Sequence, residues 1–368
     1  LIRRPGPDVD LVIAGAGPAG LATAIHASIR GLRPLVLEAR PDLLDKACGE
    51  GIMPGGVEAL QGIGVRFEAS ECRPFAGIRY VDGELAAEGR FPEGRGLGVR
   101  RLVLVRRLLE RARELGAEVR FGSAVQSWDA SADQVVVRTR AGETTVARVL
   151  VGADGLHSRV RRRAGLEIEI SERAPAAHRA PYGAPRRFGL RRHFACPPWS
   201  DLVEVHLGGG VEAYVTPVAP DVVGVALLFE SGRETGFDEL LDRFPDVRRR
   251  LGDAPPLDAP RGAGPLRQRV RGRVDGPVAL VGDAAGYCDA LTGQGLELGF
   301  LSAGALVDVL RSGAPLEHYE TAYRRITRDY YRMTDLLVRL TRHRSLGRGL
   351  VRLLARVPGA FDRALQAF

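Results

Sequence analysis

The chain has little with which to build a disulfide framework or a metal centre. Its 368 residues include four cysteines, Cys48, Cys72, Cys196 and Cys288, and no two form a CxxC pair. Disulfides and structural zinc are therefore not expected, and a reducing, cytoplasmic setting fits. His178, His193 and His206 show no metal-ligand spacing and read as ordinary histidines. No uninterrupted apolar run reaches the roughly eighteen residues that a membrane span needs. The opening segment, Leu1 to Asp10, has no apolar signal core and no initiator methionine, so part of the natural N-terminus is expected to be missing. Lysine is almost absent: Lys46 is the only one, and arginine carries nearly all the basic side of a formal charge of +8. Such a surface would attract phosphates or an acidic partner. The arginines are spread along the chain, however, and an arginine-favouring base composition explains them more simply. Net charge without a supporting motif does not make a nucleic-acid binder.

What is present is ample core material and an alternation of strands and helices. A hydrophobic content of 45% over this length suits one large domain or two intimate ones. Asp10 to Ala14 reads as a short buried strand. Leu21 to Arg30 is Ala-rich and helical, stopped by Gly31 and Pro34. Leu35 to Glu38 is a second strand, completing a βαβ unit. Leu104, Leu108, Leu109, Ala112 and Leu115 share one face of a helix beginning near Arg101. Residues 134–140 and 144–151 read as strands around a turn at Ala141-Gly142. From 166 to 264 proline, histidine and aromatic residues separate strand-like runs, which predicts an inserted β-rich domain. Val278 to Val281 returns to a buried strand, and the chain is helical and strongly basic from about residue 316.

The first strand runs directly into Gly15-x-Gly17-x-x-Gly20. In a strand–turn–helix setting each glycine has a task. Gly15 allows the tight turn, Gly17 lets backbone approach a pyrophosphate, and Gly20 lets helix and strand pack closely. Helix N–H groups then face the anion. Glu38, at the end of the second strand, stands where a carboxylate accepts hydrogen bonds from a ribose. No second fingerprint of this kind follows a strand, so one dinucleotide has a full site.

Two further motifs say which. Gly152-Ala-Asp154-Gly155-Leu-His-Ser158-Arg-Val-Arg161 follows one strand, and Gly282-Asp283-Ala-Ala-Gly-Tyr-Cys-Asp-Ala-Leu-Thr-Gly293-Gln-Gly295-Leu296-Glu follows another. Together with the glycine fingerprint, this pair resembles the class A flavoprotein monooxygenases, the group that includes para-hydroxybenzoate hydroxylase. The resemblance covers the first 165 residues and about 265–310. It implies an α/β fold: a Rossmann-like FAD-binding domain (1–165 and 265–310), an inserted β-rich substrate domain (166–264) and a C-terminal helical segment (311–368). It implies FAD as resident cofactor and NAD(P)H as a transient one. It places Gly15, Gly17, Ala19, Gly20, Glu38, Arg40, Gly49, Arg101, Val125, Asp154, Asp283, Gly293, Gly295 and Leu296 around FAD. Within that set, Asp283 would bond the ribityl chain, and the helix start at Gly293 to Leu296 would lie near the pyrimidine edge of the flavin, stabilising negative charge.

The chain also departs from the family. Gly286 stands where many hydroxylases have His after GDAA, and Ala290 replaces a Pro that helps shape the oxygen-reacting side of the flavin. Cys48-Gly49-Glu50 and Asp289-Ala-Leu-Thr-Gly-Gln-Gly are more similar to the geranylgeranyl reductase branch. The expected function is thus an FAD-dependent monooxygenase using NAD(P)H and O2 on a small apolar or aromatic substrate, for instance in secondary metabolism. The first alternative is a flavin-dependent reductase of an isoprenoid or other alkene. A flavin halogenase ranks third, because the WxWxIP motif is absent, and a non-enzymatic FAD-binding sensor is the rival from another class. Cys48, as a low-pKa thiol, and Glu50, as a proton relay, are the catalytic candidates. Each has a plainer reading, as a small buried residue and an arginine-paired loop carboxylate. Tyr214 is the substrate-contact candidate, with core packing as the plainer reading.

In the tail, Leu337, Leu340, Leu346, Leu350, Leu353, Leu354 and Val357 recur at helical spacing, with arginines between. A basic amphipathic helix can meet a membrane surface or an acidic carrier protein. The favoured expectation is a helix pair covering the substrate domain. Gly347 and Gly349 would weaken a free helix by roughly 1 kcal/mol each.

Overall fold

The structure, a computed structural model, describes residues 7–168, 186–230, 236–357 and 359–365; His178 lies outside them. The first layer is an eight-stranded sheet with Val9–Ala14 at its centre, between Thr144–Gly152 and Pro34–Leu37. These pairs are parallel, as are those that add Glu118–Arg120 and Val278–Leu280 at either side. Strands covered on both faces need continuous apolar sequence, and Leu11, Val12 and Ile13 pair with Val149, Leu150 and Val151, all buried. The hairpin Val125–Ala130 and Val135–Thr139 extends the layer antiparallel to Thr144–Gly152.

The helix Pro18–Ile29 begins earlier than its Ala-rich pattern indicates, because Pro18 sits in its first turn, where a missing N–H costs nothing. It packs against Arg101–Glu114 and Gly295–Ser312. Two glycines make the fingerprint turn possible. Gly15 has φ +112°, and a Cβ there would lie 2.6 Å from the Ala153 carbonyl oxygen; a Cβ on Gly20 would lie 2.0 Å from the Gly15 carbonyl oxygen.

The second layer is a seven-stranded, mostly antiparallel sheet in the order Arg261–Ala263, Arg187–Ala195, Val222–Glu230, Val211–Ala219, Val203–Leu207, Gly77–Asp82, Leu85–Arg90. The β-rich layer thus reaches beyond the 166–264 window and recruits a hairpin from the first part of the chain. A parallel pairing of Gly77–Asp82 with Val203–Leu207 joins them, a long-range contact that local periodicity does not encode. One face carries Val211, Ala213, Val215, Val223, Val225 and Leu227 under the short helices Phe237–Leu241 and Pro245–Leu251. The alternate positions Tyr214, Ala226 and Leu228 face the other way, towards the first layer.

A small sheet of Gly51–Ile52, Gly96–Val99 and Cys72–Phe75 joins the layers. The helices His318–Arg342, Arg344–Arg356 and Ala360–Leu365 then cross to the second sheet. Val351, Phe361 and Leu365 pack with Tyr80, Ala87, Val205 and Leu228, so the tail covers the β-rich layer.

The junction is tight at Gly98, where a Cβ would fall 1.7 Å from the Pro217 carbonyl oxygen. Neither backbone can give way without moving a sheet. Gly98→Ala is expected to destabilise the protein by about 1–3 kcal/mol or more, measured by denaturant unfolding; an unchanged midpoint would show that the two sheets slide freely.

Candidate cofactor and substrate site

Between the two layers lies a cleft of about 1540 Å³. Pockets for a single drug-sized ligand run to roughly 300–1,000 Å³, so this one has room for a dinucleotide and a second molecule. One end is formed by the fingerprint turn, Gly15 to Ala19. Gly17 is the N-cap of the first helix and takes no side-chain cap. A Cβ on Gly17 would meet nothing within 4 Å, as a residue facing an open cradle should.

Glu38 braces that turn. Its carboxylate accepts hydrogen bonds from Ala16 N–H at 2.8 Å and Arg40 N–H at 3.0 Å. Arg40 and Val125 line the same end of the cleft. Arg101 lines it too, and its Nε is buried without a hydrogen-bond partner. A buried orphan guanidinium N–H is costly and is suited to a phosphate or ribityl oxygen. Opposite stand Asp283, Gly293, Gly295 and Leu296. The helix Gly295–Ser312 also starts with no side-chain cap, leaving its first N–H groups for the cleft. An orphan guanidinium, an open glycine cradle and two uncapped helix starts are a donor set that fits a phosphate-bearing flavin nucleotide.

Asp154 is engaged differently. It lines the cleft, but its carboxylate accepts bonds from the Ser158 hydroxyl, Arg159 N–H and Val160 N–H, holding the start of the short helix Arg159–Arg163. Its immediate role is to shape the turn beside the cofactor cradle. Sequence reasoning missed Lys46, although its solitude among fifty-two arginines was a usable signal. Its Nζ lies 3.6 Å from Asp283 Oδ2, and a Cβ on Gly155 would be 3.2 Å from it.

The loop carrying Cys48, Gly49 and Glu50 reaches under the cleft. Gly49 offers its carbonyl to the Thr216 hydroxyl at 2.8 Å. Cys48 is not a low-pKa thiol. Burial pushes it up, and the nearby Arg101 charge offsets this only in part. Glu50 is 2% exposed and has φ +59°, the only positive φ of a non-glycine among the described residues. A side chain held there needs compensation. Glu50 accepts a bond from Arg101 N–H at 2.7 Å, and its other oxygen lies 2.6 Å from His193 Nε2.

His193 is not ordinary. It is 1% exposed, and its Nδ1 lies 2.6 Å from Asp258 Oδ2. Arg191, equally buried, donates to Asp258 at 2.8 Å and to Asp45. A chain of buried charges thus ties the cofactor loop to the strand Arg187–Ala195. Asp258 is held below the usual carboxylate range: burial works to raise it, but the His193 hydrogen bonds and the Arg191 charge win. Glu50 anchors this network, and no local sequence pattern announces its partners.

The far end of the cleft is apolar. Tyr80, Leu190, Val205 and Leu228 form its floor, and Leu337, Leu350 and Leu354 of the tail helices roof it. Tyr214 lines this end, yet its hydroxyl already donates within the protein, with Glu212 Oε2 at 3.2 Å and the Leu291 carbonyl at 3.3 Å. Its ring supplies surface more readily than its hydroxyl supplies a bond. No group of three or more potential metal ligands occurs among the described residues.

Residues 8–181 match the FAD binding domain model. Just under half of the chain thus matches an FAD-binding domain. It is 30% identical over 326 residues to a 12-dehydrotetracycline 5-monooxygenase/anhydrotetracycline 6-monooxygenase of Streptomyces rimosus, a match covering 80% of this chain and 61% of that protein. The chain therefore spans about three fifths of that relative's length. It is 24% identical to digeranylgeranylglycerophospholipid reductase 2 of Methanosphaera stadtmanae, over 78% of this chain and 74% of that one. Among solved structures, an anhydrotetracycline hydroxylase from Streptomyces rimosus superposes with a TM-score of 0.74 at 26% identity, covering 98% of this chain and 75% of that chain.

Three outcomes follow from this geometry. His193→Phe leaves the buried Glu50 and the half-buried Asp258 carboxylates without their ring partner and is expected to cost about 3 kcal/mol in denaturant unfolding; a loss under about 1 kcal/mol would show the network to be dispensable. Cys48 is expected to react with iodoacetamide near pH 7.5 more slowly than an unperturbed thiol, read by peptide mass spectrometry. Glu297, whose Oε2 is buried without a partner, is pushed up to about 7 by burial and by Glu58. Its folded pKa exceeds the unfolded one, so the native state loses stability as pH rises from the unfolded value towards 7. Glu297→Gln should then stabilise the protein at pH 8 and have little effect near pH 4.

Proposed function

We propose that this chain is an NAD(P)H- and O2-dependent FAD monooxygenase acting on an apolar, ring-containing small molecule. The observation that carries the reading is one continuous cleft, with the dinucleotide cradle at one end and an apolar chamber at the other. The similarity to tetracycline-pathway monooxygenases supports it. When bound, FAD supplies the redox chemistry, accepting hydride from NAD(P)H and passing electrons to oxygen.

The chain's own residues do the rest. The turn Gly15 to Gly20 and Arg101 would hold the anionic part of the cofactor. The uncapped start of the helix Gly295–Ser312 would stabilise negative charge on it. Glu50, fixed by His193, orients Arg101 through its backbone N–H and keeps the loop Lys46 to Gly49 closed beneath the cleft. The aliphatic walls exclude water and position substrate, and no side chain is required as a nucleophile.

The similarity to a geranylgeranyl-type reductase keeps one rival, an enzyme that delivers hydride to an alkene. The test is to reduce the FAD-loaded protein anaerobically, with and without candidate polycyclic substrates, and mix it with oxygenated buffer in a stopped-flow spectrometer. Oxygen-dependent absorbance transients before oxidised flavin returns, with oxygen incorporated into product, are expected. Substrate turnover that consumes no oxygen would replace the proposal with the reductase. Separately, Arg101→Ala should weaken FAD binding about tenfold, the equivalent of a lost charge-assisted hydrogen bond, measured by flavin fluorescence.

A further inference from the structure

The helices that roof the apolar chamber have a second face. Four of the nine exposed large hydrophobic residues among the described residues, Leu336, Leu346, Leu353 and Val357, fall within this short stretch. Leu346, Leu353 and Val357 stand at i, i+7 and i+11, one stripe along the flank of the helix Arg344–Arg356 and just beyond its end. Arg348, Arg352 and Arg356, at i, i+4 and i+8, form the adjoining stripe. These three and Arg339 are exposed, and none has a carboxylate within ion-pair distance among the described residues. From Leu336 to Phe361 the sequence contains no acidic residue.

The inner face is already occupied: Leu350 and Leu354 line the chamber and Val351 is buried. Gly347 is buried too, and a Cβ there would lie 3.6 Å from Thr341 Cα and 3.7 Å from Leu207. The helix is therefore held on the protein and does not have to form at a surface, which removes the objection that its glycines would weaken a free helix. Leu336 is 53% exposed and also lines the chamber, so the chamber opens beside the leucine stripe. No helix of the described residues is long and apolar enough to cross a bilayer.

We propose that this face docks the protein peripherally on an anionic lipid surface. The leucine stripe would enter the headgroup boundary and the unpaired arginines would meet lipid phosphates. Uniform positive charge complements a uniformly negative surface. Aliphatic side chains at the mouth of an aliphatic chamber favour lipid over the polar face of an acidic carrier protein. If the monooxygenase reading holds, an apolar substrate would then enter the chamber directly from the bilayer; the docking itself does not rest on that reading.

The FAD-loaded protein would be sedimented with vesicles of phosphatidylcholine alone and of phosphatidylcholine mixed with phosphatidylglycerol. Binding is expected to the mixed vesicles, to fall with added salt, and to drop at least about tenfold in Leu346→Glu/Leu353→Glu. A second variant, Arg348→Glu/Arg352→Glu, should lose the salt-sensitive part. Both alter exposed side chains, so FAD content and the thermal midpoint serve as checks that the fold is kept. Absence of binding to mixed vesicles by the unaltered protein, or equal binding by folded variants, overturns the proposal. So does binding to an acidic carrier protein with no vesicle binding. Because the readout is sedimentation, its failure leaves the monooxygenase reading standing, and failure of that reading leaves this one standing.

Discussion

The arrangement depends on one buried electrostatic link, Glu50–His193–Asp258 with Arg191 and Asp45. Burying several charges is expensive, and such clusters stabilise weakly against an apolar alternative, but leaving one member unpaired is severely penalised. The cluster therefore acts as a register device. It admits one relative placement of the cofactor loop and the strand Arg187–Ala195, and it compensates the left-handed conformation of Glu50, unusual for a non-glycine residue. The same carboxylate caps Arg101 N–H, so the start of a helix that lines the cradle is set by a loop residue that His193 ties to the second sheet.

The two ends of the cleft follow different rules. Around the fingerprint, backbone geometry decides: Gly15, Gly17 and Gly20 permit contacts that any side chain would block or fill. At the apolar end, side-chain volume decides, and the walls come from three separate parts of the chain: the strand Gly77–Asp82, the antiparallel strands, and the tail helices. Conserving the first end while varying the second is a route by which one scaffold serves different substrates. Of the two departures, Ala290 lines the cleft, whereas Gly286 lies off it, beside Tyr331 and Gln268.

The tail helices show how one element can satisfy two solvents. Their inner leucines replace a wall that the open sheet lacks, while their outer face keeps arginines in water and leaves aliphatic side chains uncovered. Periodicity in the sequence revealed an amphipathic helix but not which side was already taken. Only packing against Tyr80, Val205 and Leu228 separates the covered leucines from the exposed ones.

The sequence by itself determined the dinucleotide cradle. Its signals are local: glycines at fixed spacing between a strand and a helix, a carboxylate at the next strand end, and two short motifs after later strands. Each acts through backbone conformation within a few residues, so each is visible in one dimension. Tertiary structure decided the rest. His193 and Asp258 are 143 and 208 positions from Glu50, and nothing near any of them marks the partnership. The thiol of Cys48 is raised rather than lowered because its surroundings, not its neighbours in sequence, set its desolvation. The parallel pairing that brings residues 77–82 into the second sheet is a contact over more than a hundred residues. Charge state and cavity shape depend on what the chain brings together from afar, and a linear pattern carries no record of that.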